Sequence, residues 1–486
     1  MARPTGPDTF RSRDTESMTD PRAALVDPTT QRHVLVVAIL ASFVAFLDGS
    51  IVNVALPAIV DELGGGIALQ QWVVDSYLLT LGALILLAGS LSDALGRGRI
   101  LLIGLIWFGL TSLACAIAPT GELLVVARAL QGAAGALLVP SSLAIIISTF
   151  SGAAQGRAIG TWTAWTGTAT IVGPLLGGIL VDASSWRLIF AINVLPIAVT
   201  LFLLRRIPTD PVVETRSRID VVGAVLGAIG LGGPVFALIE QPRLGFAHPA
   251  VWLSLVVGVA SFVAFLWWER RVEHPMLPPS VFRYRNFSWG NVATAFIYGA
   301  LSFGFFVLAI YLQQVAGFSA TLAGFATLPP TIVMLLLSSR IGSLAGRLGP
   351  RLFMTVGPLV GAVGYVLLLT IADPVDYWWQ ILPGLVVFGL GLAITVAPLT
   401  SAILGAPPAE QAGIASAVNN AVSRVAGLIA IACVGFVVGS TLDLAGLHRA
   451  LIVTAVLLAL GGIVSWFGIR NLATSAEAPT APSAAA

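Results

Sequence analysis

The chain has 486 residues, of which 57% are apolar and only 10% charged, with a formal net charge of +2. So little charge cannot cover a soluble protein of this size, which marks a polytopic membrane protein, and the near-neutral balance gives no case for nucleic-acid binding. All 25 basic residues are arginine, and a chain without lysine excludes a P-loop ATPase and Schiff-base chemistry.

Residues 1–30 are polar and read as a disordered cytoplasmic tail with no cleavable signal peptide. Six apolar spans follow, at about 34–57, 70–89, 99–118, 122–147, 157–181 and 186–205. A charged connector leads to two more, at about 218–240 and 249–270, and a second connector to a final six, at about 287–312, 321–345, 350–372, 377–404, 411–440 and 446–470. Residues 471–486 form a loose tail. Each span is close to the ~20 residues that cross hydrocarbon, so the expectation is an all-α protein with fourteen transmembrane helices. With the N-terminus inside, 20 of the 25 arginines fall on cytoplasmic segments, a bias that puts both termini in the cytoplasm. The string that starts at Gly89, GSLSDALG, is echoed by GSLAGRLG from Gly342. That offset of 253 residues fits a duplicated six-helix unit, at 31–206 and 286–470, with a two-helix insertion and its loops at 207–285.

The fifth span and its sequel, RAIGTWTAWTGTATIVGPLLGGILVDASSWRLIFAIN from Arg157 to Asn193, carry the most information. Gly160, Gly167, Gly173, Pro174, Gly177 and Gly178 lie in one apolar helix. In water each interior Gly costs about 1 kcal/mol and Pro about 3. Between packed membrane helices, Gly allows close approach and neighbours satisfy the backbone that Pro frees. The pattern Gly160, Ala169, Gly173-Pro174-x-x-Gly177-Gly178 resembles the antiporter signature of major-facilitator drug exporters, with Ala169 where the family has Gly. Trp186–Asn193 and FLDGSIVNVALP, from Phe46 to Pro57, are similar to segments of the fourteen-helix EmrB/QacA-type branch. The loop Gly89–Arg99, with Gly89, Asp93, Gly96 and Arg97, resembles the family's cytoplasmic gating signature. It has Ala94 in place of the usual Arg; its second-half counterpart keeps Arg347 but has Gly346 where the acid would be. The resemblance implies a major-facilitator fold of two six-helix bundles around a central cavity that opens alternately to each side.

Four charged residues lie deep in spans: Asp48, Asp75, Arg128 and Arg424. An acid near a span centre costs roughly 2.5–3.5 kcal/mol even on the mild insertion scale, so Asp48 is either a structural hydrogen-bonding partner or a working carboxylate. At about 1.5 Å per residue, Asp48, Asp75 and Arg128 share a depth and are expected to interact. The resemblance gives these acids and this arginine roles in proton coupling and cation recognition. On the thirteenth span Asn419, Asn420 and Arg424 either line the cavity or bind across to the other half, and Asn53 is a further cavity candidate. The histidines, His33, His248, His274 and His448, all fall at or outside span ends, so proton handling inside the membrane is left to carboxylates. Cys115 and Cys433, far apart in apolar segments, read as packing residues.

The resemblance implies a proton-coupled exporter of small amphipathic or cationic compounds, such as drugs and antibiotics. It needs no cofactor beyond the proton motive force and no metal, and its partners are substrate, protons and the bilayer, with the chain acting as a monomer in the cell membrane. The rivals are a dedicated exporter of one endogenous metabolite, siderophore or lipid, and a non-transporting sensor or enzyme. Against an enzyme there is no GxSxG, HExxH or CxxC motif.

Overall fold

A computed structural model describes residues 27–207, 220–272, 275, 277–408, 411–439 and 441–471. Residues 1–26 and 472–486 of the two expected tails and most of the first connector lie outside the described residues, as do a few helical side chains, among them Asp93, while residues 28–30, expected in the N-terminal tail, are already helical. The described residues form helices and no strands. This is one of the two ways a chain satisfies its backbone inside hydrocarbon.

The first part of the chain contains α1 (Pro28–Ile51), α2 (Leu56–Leu63), α3 (Gly66–Leu95), α4 (Arg97–Ala116), α5 (Gly121–Thr149), α6 (Gly152–Ala183), α7 (Leu188–Ala191) and α8 (Val194–Leu204). A hairpin of α9 (Val221–Leu244) and α10 (Pro249–Glu269) follows. The last part contains α11 (Arg285–Gln314), α12 (Ala320–Ala326), α13 (Pro329–Leu348), α14 (Pro350–Leu367), α15 (Leu382–Leu404), α16 (Ala412–Ala432), α17 (Val434–Val438) and α18 (Leu444–Gly468).

Within the first part α1 packs on α5, α6 and α8, and α5 on α3 and α4. Within the last part α11 packs on α16 and α18, α15 on α13 and α14, and α14 on α18. The hairpin lies to one side, with α9 against α3, α16 and α17, while the outward face of α10 is exposed from Trp252 to Trp267. That exposure suits contact with lipid tails, which are as apolar as the side chains they meet. The two turns at the repeated glycine motif share a shape: Gly96 between α3 and α4 has φ +97°, and Gly349 between α13 and α14 has φ +86°. Only glycine adopts this left-handed conformation without steric cost.

Twelve helices among the described residues are long and apolar enough to cross a membrane, against the fourteen expected. The expected span 70–89 falls in the 30-residue α3, some of whose side chains lie outside the described set. The expected span 186–205 is divided: α7 and α8 meet at Ile192–Asn193, and the apolar stretch Leu188–Leu204 is shorter than the rest.

Candidate functional site

Asp48, in α1, is fully buried, and both its oxygens are occupied. Arg128 Nη1 of α5 donates to Asp48 Oδ2 at 2.5 Å. Gln131 Nε2, one turn along α5, and Asn193 Nδ2, at the α7–α8 bend, each donate to Oδ1 at 2.9 Å. Gln131 Nε2 also reaches Ser112 Oγ of α4 at 2.8 Å, and Gln131 Oε1 accepts from Arg128 Nη1 at 2.7 Å. Arg128 spends its Nε on the carbonyl of Val73 at 3.0 Å and lies over the rings of Tyr77 and Phe190, 4.3 and 5.6 Å from their centroids. A charge pair this deep is tolerable because Gln131, Asn193 and the Val73 carbonyl take up further lone pairs and protons, although Asn193 Oδ1 is itself left without a partner. The network ties five helices of the first bundle together and closes Asp48 to solvent.

The expectation that Asp75 joins this group is corrected. Asp75 is also fully buried, yet neither carboxylate oxygen has a hydrogen-bond partner. Residue count sets depth in the membrane, but a helix also sets direction. Val73 and Tyr77 of α3 face Arg128, whereas Gln71, Asp75 and Gly82 repeat on another face, toward α16. On that face Gln71 Nε2 donates to the carbonyls of Ile431 at 2.6 Å and Ala432 at 3.0 Å, where α16 breaks before α17. Asp75 lies near Cys433 at the same break. An unpaired ionised carboxylate there is expensive, so the site accommodates the protonated form. A third face carries Trp72, which donates to Glu240 Oε1 of α9 at 3.0 Å and so fixes the hairpin beside Asp75.

The glycines of α6 divide by position. A side chain at Gly173 would overlap Ser50 of α1, and one at Gly177 would come within 2.6 Å of Ile51. Ser50 Oγ donates to the carbonyl of Ala169 at 3.0 Å, which pins α1 to α6 at the family's glycine position. Gly178 faces the other bundle, 2.6 Å from the Ala320 carbonyl of α12 for an added Cβ, and Gly324 of α12 meets the backbone of Pro174 at 2.5 Å. Asp182 Oδ1 and Oδ2, at the end of α6, accept the α12 amides of Ala320 at 3.1 Å and Thr321 at 2.8 Å. Gly160 and Gly167, nearer the start of α6, have nothing within 4 Å, so packing does not require them here.

Among the described residues, the side-chain hydrogen bonds that join the two bundles are those of Gln71 and Asp182. Both lie toward the face remote from the chain termini. Toward the terminal face the first half of α6 is exposed at Thr161, Thr163 and Trp165. Glycines on opposing bundles, Gly89, Gly346 and Gly413, meet nothing there. The hydrogen bonds that close the bundles together thus lie on one face, and among the described residues the other face carries none.

In the gating loop, Arg97 Nη1 donates to the carbonyl of Ala144 in α5 at 3.0 Å, and Gly96 supplies the turn. The side chain of Asp93 lies outside the described residues. Asn419 is half-buried, and its Nδ2 does not cross to the other half but donates to Asn291 Oδ1 at 3.1 Å and Thr294 Oγ1 at 2.9 Å of α11 in the same bundle. Asn420 is exposed and donates to the Ser416 carbonyl. Arg424 does reach across, with Cζ 5.5 Å from the Phe46 ring of α1. Asn53 is half-buried in the short turn after α1, which touches α11 and α12. Sequence reasoning missed Gln131, Asn193, Ser112, Gln71 and Asp182 as working side chains. Gln131 was within reach, since a polar residue three places after a buried arginine shares its face; the others depend on contacts between distant helices.

The major facilitator superfamily model matches residues 38–431. The chain is 34% identical over 416 residues to the multidrug resistance protein Stp of Mycobacterium tuberculosis, covering 85% of this chain and 77% of that one. It is 36% identical to the puromycin resistance protein pur8 of Streptomyces alboniger (82% and 80% covered) and 32% to a methylenomycin A resistance protein of Bacillus subtilis (84% and 88%). Among solved structures, the inward-open conformation of the xylose transporter XylE from E. coli aligns with a TM-score of 0.63 at 16% identity, covering 92% of this chain and 98% of that one. A POT family transporter in complex with 5-aminolevulinic acid aligns with a TM-score of 0.67 at 14% identity, covering 90% and 95%. This multi-pass membrane protein belongs to the major facilitator superfamily, a family of transporters rather than enzymes.

Proposed function

We propose that the protein exports small amphipathic compounds, drugs or antibiotics among them, from the cytoplasm in exchange for protons by alternating access. The observation that carries this reading is Asp75, a buried and unpartnered carboxyl in the seam between the bundles. Protonated, it lets α3 and α16 close together; ionised, it favours a state in which that seam opens to water. A proton taken up from one side and released on the other is then coupled to which face is sealed. The antibiotic and multidrug resistance names of the relatives support the substrate class. Cationic compounds, expected from the deep acids, lose support, because Asp48 is locked to Arg128 and Asp75 is closed off from the cavity.

On this reading both termini are cytoplasmic, as the arginine distribution favours, and the open face is the inner one. If α3 and the divided α7–α8 segment each cross, the count returns to fourteen, with bundles at 31–206 and 286–470 around the 207–285 insertion. Gly160, Gly173, Pro174, Gly177 and Gly178 then form the sliding surface of α6, and Gly89, Asp93, Gly96 and Arg97 the inner gate. A proton falling through 100 mV supplies about 2.3 kcal/mol, enough for a roughly fifty-fold gradient of a neutral solute. Proteoliposomes with an imposed pH gradient and no nucleotide are expected to concentrate a substrate found by a susceptibility panel. Transport that survives collapse of the gradient would refute the coupling.

A further inference from the structure

Of the four charged side chains deep in the spans, Asp48 and Arg128 pair with each other and Asp75 is sealed away without a partner. Arg424 remains. It sits in α16, within the span Gly413–Val438, and among the described residues it makes no ion pair and no hydrogen bond. The residue as a whole is half-buried. α16 passes Gly82 of α3 there: a Cβ added to that glycine would sit in ordinary contact, 3.7 Å from Arg424 Cβ. The side chain then extends between the bundles to the Phe46 ring of α1, with Tyr77 and Tyr298 as its titratable neighbours. Tyr77 spends its hydroxyl on the carbonyl of Ala45 at 3.2 Å and offers Arg424 no acid.

An arginine remains charged at any physiological pH and carries five donors in a planar fork that matches a carboxylate or phosphate. At membrane depth such a group normally pairs with an acid or faces a water-filled pathway that its ligand shares. Of the deep acids of the first bundle, Asp48 is already committed to Arg128, Gln131 and Asn193, and Asp75 is sealed away without a hydrogen-bond partner. We infer that Arg424 binds the anionic group of the transported compound, so that the substrates handled best are small amphipathic acids whose apolar body packs against Phe46 and Tyr298. This inference rests on the cavity between the bundles being the transport site, as proposed above.

The test uses full-length protein in nanodiscs and three probes of one shape: 1-naphthaleneacetic acid, its amide, and 1-naphthylethylamine. Wild type is expected to bind the acid at least tenfold more tightly than the amide or the amine. Arg424→Gln is expected to lose that preference while binding of the amide changes less than twofold, and Arg424→Lys to keep part of it. Equal binding of the three probes by wild type, no binding of the acid, or an acid affinity unchanged in Arg424→Gln would each overturn the inference. Uptake of the same probes into proteoliposomes under a pH gradient separates this from the exporter reading. Gradient-driven uptake with no Arg424-dependent preference overturns the anion site alone. Arg424-dependent binding of the acid without gradient-driven uptake upholds the anion site and counts against proton coupling.

Discussion

Removing one partner of the Asp48–Arg128 pair leaves a fully buried charge uncompensated, which typically costs 3–5 kcal/mol. Arg128→Met is therefore expected to lower the thermal midpoint of the purified protein markedly, by a loss of that order. Asp75→Asn is expected to change stability by less than about 1 kcal/mol, because an amide replaces a neutral carboxyl that has no partner to lose. Equal destabilisation by the two variants would contradict the division of roles drawn from the geometry. The sequence made all three residues visible, since charge in an apolar span is conspicuous. It did not reveal which of them touch. Depth follows from counting residues, but the face of α3 that carries Asp75 is set by α16, some 350 residues away. Asn193 and Ser112 escaped for a similar reason: each is unremarkable until α4, α7 and α1 converge on one carboxylate.

The glycines of α6 make a graded prediction at the level of the helix. Gly177→Leu and Gly178→Leu are expected to abolish efflux at unchanged expression, the first by parting α6 from α1 and the second by forcing the sealed face open against α12. Gly160→Ala, with open space around it, is expected to keep wild-type efflux. Full activity in Gly178→Leu would show that the α6–α12 contact does not seal the molecule. The glycine pattern was legible in the sequence as close packing, and the turn glycines as a repeat. The division of labour within α6 was not, because one string of glycines serves two different neighbours. The divided α7–α8 segment was hidden as well, its apolar run reading as one continuous span.

A clamp on the sealed face binds α2 to the start of the sixth expected span. Glu62 accepts from Arg187 Nη1 at 2.6 and 2.7 Å and from Trp186 Nε1 at 2.7 Å. The Arg187 bond, then the Trp186 bond, hold the Glu62 carboxyl below the usual carboxylate range. A lowered value means that the clamp stabilises the fold above pH ~4.5 and releases as pH falls below it. The thermal midpoint of wild type is expected to drop on acidification through that window more than that of Glu62→Gln; parallel curves for the two would contradict the clamp.

At the scale of the whole molecule, the two bundles meet through Gln71, Asp182 and the glycine contacts of α6 and α12 on one face, and deeper in through Arg424, which passes Gly82 to reach Phe46. In the proposed alternating-access cycle, switching to the opposite state requires these contacts to part, with Asp75 in the seam that opens. The all-helical membrane architecture was readable from the apolar spans, because lipid enforces helices, whereas the count of fourteen was not matched by the twelve long apolar helices among the described residues. The conformation was not readable, since both states use the same sequence and differ only in which contacts are made. The central claim is that Asp75 holds a proton while this seam is closed. Infrared difference spectroscopy of the protein in nanodiscs at neutral pH tests it directly. The account predicts a protonated-carboxylic-acid C=O band in wild type that is missing from Asp75→Asn. A wild type without that band, or a band undiminished in Asp75→Asn, would contradict it.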